Sequence, residues 1–153
     1  MTFESFEVLI EFAIEKEREA SAFYADLARQ TSFSGVKEAL LEMSQEEKKH
    51  QTMLENLGSN QALVEDYKFK WIPDIKRSDY IVDIQYEPGM NFVNILRLAM
   101  KREELSLKMY NELHKRTDDS ENIKVFKILC QEEAGHKLFF ETLYDDYMAE
   151  QGD

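Results

Sequence analysis

Two tetrapeptides of one pattern, Glu47-Lys48-Lys49-His50 and Glu133-Ala134-Gly135-His136, each place a carboxylate three residues before an imidazole. On a helix that spacing puts both groups on the same face. Met43 and Leu54 continue the face of the first pair, and Leu129 and Phe140 that of the second, so both pairs read as inward-facing. Two further acids share this character. Glu17 falls between Ala13 and Ala20/Tyr24, and Glu103 falls among Leu96, Ala99, Met100, Leu107 and Tyr110. Isolated carboxylates inside an apolar bundle would cost several kcal/mol each, or would protonate. Two divalent cations would compensate them. Four carboxylates balance two such ions, and oxygen with imidazole suits iron or manganese, with zinc a further candidate. The candidate metal-ligating and catalytic residues are therefore Glu17, Glu47, His50, Glu103, Glu133 and His136. A single Glu-x-x-His occurs by accident in acidic helices; two of them in equivalent settings are a much stronger signal.

The elements that must hold these six residues are helices. Apolar residues recur at intervals of three and four over 3–30, 34–57, 89–116 and 120–149, predicting four long helices. Ser34 is a candidate cap for the second, and Asp118, Asp119 or Ser120 for the fourth. Residues 58–88 form a connection that holds both prolines and could include short helical pieces. Its length exceeds what a hairpin needs but suffices to run along a bundle and return the chain in its original direction. The expected fold is all-α: a single-domain four-helix bundle, spanning 1–153, of two hairpins joined by a long crossover.

The hairpins read as copies. Sliding the sequence by 86 positions aligns them without a gap and gives thirteen identities in the 52 positions from 6 to 57, where ordinary usage would give roughly three or four. Glu17/Glu103, Tyr24/Tyr110, Glu46/Glu132, Glu47/Glu133 and His50/His136 are among them. A two-fold relation between hairpins lets paired residues converge on one centre.

Composition narrows the partners. The formal net charge is -12, which repels phosphate backbones and anionic lipid, so neither nucleic acid nor membrane is expected. Cys130 is the single cysteine, which excludes an internal disulfide and fits a reducing compartment. Glu11, Glu15 and Glu17 interrupt the apolar stretch near the start, so neither a signal peptide nor a spanning helix fits. A cytoplasmic protein is the expectation.

The run Ala13-Ile14-Glu15-Lys16-Glu17-Arg18-Glu19-Ala20, with Phe23-Tyr24, Leu27-Ala28 and Gln45-Glu46-Glu47-Lys48-Lys49-His50, resembles the first half of a rubrerythrin-type domain. Glu103 and Gln131-Glu132-Glu133-Ala134-Gly135-His136 resemble the second half. The resemblance spans all four helices but not the crossover, and it implies a ferritin-like fold and a di-iron site with the six residues above as ligands, Glu47 and Glu133 bridging. It further implies peroxide or oxygen as oxidant, a role in oxidative stress, and an even-numbered homo-oligomer, with a dimer favoured. This chain departs from the pattern in three places. The four cysteines of a rubredoxin-like iron centre are missing, so electrons must come from a separate donor such as a rubredoxin-like protein. Rubrerythrins carry an additional Glu one turn after the third-helix ligand, and Ser106 stands there. The haem-binding Met of bacterioferritins is replaced by Lys48. The leading function is thus a di-iron oxidoreductase; the alternatives are a ferroxidase or iron-handling protein, and a non-enzymatic metal-stabilised interaction module.

Other residues read more simply. Tyr24 and Tyr110 are expected as core aromatics whose hydroxyls find a partner, Cys130 as a small buried apolar residue, and Glu46 and Glu132 as solvated acids. His114, eleven residues beyond Glu103 and roughly 16 Å along the axis, is too far to join the centre. The crossover aromatics Tyr67, Phe69, Trp71, Tyr80 and Tyr86 are expected to cover the bundle or form a subunit contact.

Overall fold

Capping groups and apolar stripes set the helices of the computed structural model, which describes residues 5–32, 34–69 and 90–151. Helix α1 spans Phe6–Gln30, and the Ser5 side chain caps it by accepting from the Val8 amide at 3.2 Å. Helix α2 covers Ser34–Glu55 and runs into a turn at Gly58, whose φ of 95° is a left-handed conformation that glycine adopts at little cost. Buried Asn60 then closes that end, donating through Nδ2 to the carbonyls of Met53 and Asn56. A short helix α3, Gln61–Asp66, lies within the predicted connection. Trp71, Tyr80 and Tyr86 of that connection lie outside the described residues. Asn91 caps α4, Phe92–Lys115, and the Asp119 carboxylate caps α5, Ser120–Gln151, by accepting from Asn122. All described secondary structure is helical, as expected of an all-α bundle.

Helices α1 and α2 pack as one hairpin and α4 and α5 as the other. The Ser21 hydroxyl donates to the Ser44 carbonyl at 2.9 Å, and the Ser44 hydroxyl donates back to the Ser21 carbonyl at 2.8 Å. Small residues at this crossing let α1 and α2 approach closely. Between the hairpins, Tyr24 on α1 meets Glu103 on α4, while Tyr110 on α4 meets Glu17 on α1. Moving forward along α1 therefore means moving backward along α4, so the two run antiparallel.

The core is divided. One apolar cluster gathers around Tyr24, Leu27, Leu40, Ala99, Met100 and Phe140; the other gathers around Ala13, Leu54, Tyr110, Leu113, Phe126 and Leu129. The 86-residue repeat exchanges them: Leu40 corresponds to Phe126, Leu54 to Phe140, Ala13 to Ala99 and Leu27 to Leu113. An internal two-fold thus passes between the clusters, and the six candidate ligands occupy the layer it leaves there.

Candidate metal centre

Glu17, Glu47, His50, Glu103, Glu133 and His136 are all buried, none more than 5% exposed. Each sits on the inward stripe of its helix, so the packing that buries neighbouring leucines and phenylalanines also carries these polar groups inward. They form two overlapping groups, Glu17-Glu47-His50-Glu133 and Glu47-Glu103-Glu133-His136, within each of which one ligand atom per residue lies within 4.8 Å of the others. Glu47 and Glu133 belong to both. His50 Nδ1 stands 3.2 Å from Glu133, 3.4 Å from Glu47 and 3.5 Å from Glu17. His136 Nδ1 stands 3.1 Å from Glu47 and 3.6 Å from both Glu103 and Glu133. The rings lie nearly parallel with centroids 6.2 Å apart.

These atoms lack ordinary partners. Both oxygens of Glu47 and of Glu133, one oxygen each of Glu17 and Glu103, and both Nδ1 atoms are buried without a hydrogen bond among the described residues. Buried polar groups left unsatisfied in this way are uncommon and call for an ion or a bound group. The electrostatics agree. Burial and then the Glu47 carboxylate push Glu17 up to about 8, and burial with Glu103 and Glu47 holds Glu133 well above the ordinary carboxylate range. Burial also disfavours a charged Glu47, but the rings of His136 and His50 outweigh it and hold that carboxyl well below its usual value. Against the same cost of burial, the surrounding carboxylates raise both histidines, Glu132 and Glu133 leading at His50 and Glu103 at His136. Without cations the cluster must share protons among its members. Two divalent ions would replace those protons and supply the orphaned atoms with partners, so the donor set fits a metal pair.

Residues 8–144 match the family model of rubrerythrin. The chain belongs to the rubrerythrin family. The matched span takes in every residue of this rubrerythrin-family centre. A solved structure of a hypothetical protein from Pyrococcus furiosus is similar over 93% of this chain and 89% of its own, with 27% identity and a TM-score of 0.70. No curated protein matches the chain.

The surroundings of the rubrerythrin-family cluster extend what the sequence predicted. Tyr24 donates its hydroxyl to Glu103, and Tyr110 donates to Glu17, each reaching into the opposite hairpin. Burial first, then those carboxylates, raise both phenols well above their usual range, so they stay protonated and serve as donors. Glu46 and Glu132, read from the sequence as solvated, instead face the histidine of the other hairpin. Glu46 Oε2 lies 2.5 Å from His136 Nε2, and Glu132 Oε1 lies 3.9 Å from His50 Nε2. A neutral ring that donates Nε2–H to such a carboxylate presents its Nδ1 lone pair to the centre. Their direction about 100° off the ligand face turns them away from their own hairpin but toward its neighbour. Their repetition in both copies was the available signal. Tyr67, just after α3, donates to Glu132 at 2.9 Å and accepts from Gln131 at 3.0 Å. His114 lies apart from the centre, beside Cys130 and Phe69. Cys130 is half-buried, and burial pushes its thiol up to about 11. Ser106 lines a cleft between α1 and α4. No described helix is long and apolar enough to cross a membrane.

Proposed function

We propose that this chain is a di-iron carboxylate oxidoreductase that reduces peroxide or oxygen with electrons from a separate donor protein. The observation that carries this reading is the pair of overlapping Glu/His groups sharing Glu47 and Glu133, sealed between two apolar clusters. In the holoprotein Glu47 and Glu133 would serve both ions, with Glu17 and His50 completing one site and Glu103 and His136 the other. Two irons held there would supply the two electrons that, with two protons, turn one peroxide into two waters, and a separate donor would restore them.

The protein's own contribution is positioning. Tyr110 and Tyr24 fix the rotamers of Glu17 and Glu103 through charge-assisted hydrogen bonds. Glu46 orients the His136 ring and leaves Nδ1 inward. The leucines, phenylalanines and alanines at both ends keep bulk water from the carboxylates, which strengthens their interaction with any cation. Glu47 and Glu133, whose oxygens make no hydrogen bond among the described residues, can shift as metal charge changes, which a redox site requires.

Anaerobic reduction of iron-loaded protein followed by stoichiometric peroxide tests the reading. The expected result is rapid oxidation of two irons per chain by one peroxide, seen in the near-ultraviolet charge-transfer bands, with little radical release. A tightly bound metal pair inert to peroxide and oxygen would remove it.

A further inference from the structure

The seam between α1 and α4 is open on its outer side. A cleft of 680 Å³ runs along it, a size typical of small-molecule sites. The cleft lies at the level of the centre: Lys16 and Arg102 immediately precede Glu17 and Glu103, and Ala20 and Ser106 follow them by one turn. The small side chains of Ala20 and Ser106 leave the space, while Phe12, Leu98, Leu105 and Met109 give it apolar walls. Leu105 is 56% exposed.

The rim runs against the charge of the molecule. In a chain of net charge -12, this cleft gathers Lys16, Arg102 and Lys108 against Glu19 and Glu112. Lys16 is partnered, standing 3.1 Å from Glu19. Arg102 differs. Its guanidinium lies over the Phe23 ring, 4.3 Å from the centroid, and its buried Nε makes no hydrogen bond among the described residues. A cation seated on an aromatic face at the edge of an apolar slot, with an unused donor, suits one anionic oxygen pair on a slender apolar body.

We propose that the α1–α4 cleft binds an amphipathic monocarboxylate, with its aliphatic chain along Phe12, Leu98, Leu105 and Met109 and its carboxylate on Arg102. A phosphorylated sugar would leave these walls without a partner, and an organic cation would meet like charge. A second copy of the chain would present a broad surface, whereas a slender chain can follow the seam to the Arg102 side chain that lines it. The occupant assigned is therefore the carboxylate.

Calorimetric titration of the full-length protein as purified, with decanoate and octanoate below their micelle concentrations and decanol as control, tests this. One decanoate per chain is expected. Octanoate should bind about tenfold more weakly for its two missing methylenes, and decanol should bind at least tenfold more weakly than decanoate. R102Q should lose at least tenfold in decanoate affinity. L105E, at an exposed position where folding is not at risk, should lose as much while leaving melting temperature and metal content unchanged. Decanoate binding that equals decanol binding, or that ignores both substitutions, overturns the proposal. So does a dimer that L105E splits into monomers with no carboxylate bound, since the cleft would then be a subunit interface. The readout is binding, so an inert metal centre would leave it untouched.

Discussion

The two halves of the centre carry the same candidate ligands but not the same supports. On one side Glu46 closes on His136 at 2.5 Å; on the other the equivalent Glu132 stands back from His50 at 3.9 Å and holds the Tyr67 hydroxyl at 2.9 Å. Behind them, α1 and α2 are clasped by Ser21 and Ser44, while the corresponding positions on α4 and α5 are Leu107 and Cys130. Glu47 and Glu133 stand in both groups, so altering either one disturbs both halves. The supports answer only to local packing and were free to diverge. The expected consequence is a pair of metal positions alike in ligand type and unlike in stiffness.

The largest effect should come from erasing what the halves share. Glu47→Gln or Glu133→Gln removes a carboxylate that belongs to both groups, so both ions should be lost from the purified protein. His50→Ala or His136→Ala touches one group alone and should leave about half of the metal measured by elemental analysis. Full metal content in Glu47→Gln would show that the halves do not share it.

Removing the cations altogether exposes the buried acids and reverses the pH response. Glu17 is raised to about 8 from an ordinary 4.5, and both histidines are raised above 6.5. Groups with raised folded-state values favour the folded state below their unfolded values, and that contribution is lost as pH rises through the folded ones. Chelated protein should therefore melt at progressively lower temperature from pH 5 to pH 8. Metal binding releases those protons, so the loaded protein should gain on the chelated one over the same range. Parallel melts with and without chelator read the gap, and a gap that narrows with rising pH would contradict the charge assignment.

The bundle and the six residues that converge inside it were legible because both rest on periodicity. Glu17 and Glu103 betray themselves by interrupting apolar stripes, and the Glu-x-x-His pairs by their repeat. The supports were harder to read. Glu46 and Glu132 look solvated on their own helices, and only the approach of the second hairpin makes them histidine partners. Tyr67 comes from a connection without periodicity, so its contact with Glu132 depends on the path of the chain after α3. The cleft beside Ser106 is likewise a property of how two helices separate, which no local pattern encodes.

Unequal support should appear as unequal cost. Glu46→Gln removes the carboxylate that orients His136 and should weaken metal binding on that side by about 10- to 100-fold. Glu132→Gln should cost only severalfold, because Glu132 engages Tyr67 more closely than His50. Tyr67→Phe frees Glu132 to close on His50, after which the Glu132→Gln substitution should become as costly as Glu46→Gln. Competitive chelator titrations of the four variants give the comparison, and equal losses for Glu46→Gln and Glu132→Gln from the start would mean that Tyr67 does not hold Glu132 back.

The smallest expected difference lies in the clasp. Ser44→Ala removes the hydroxyl that donates to the Ser21 carbonyl at 2.8 Å, while Ser21 keeps its bond to the Ser44 backbone. The loss should be about 1 kcal/mol, or roughly 3 °C in melting temperature for a chain of this size. At the matching position Cys130→Ser places a hydroxyl where the thiol has, among the described residues, only Asn111 Oδ1, 3.7 Å away, as a partner. The serine can take up that one bond, so the change should stay within about 0.5 kcal/mol. A Cys130→Ser penalty as large as that of Ser44→Ala would show that the second hairpin depends on the same tight crossing as the first.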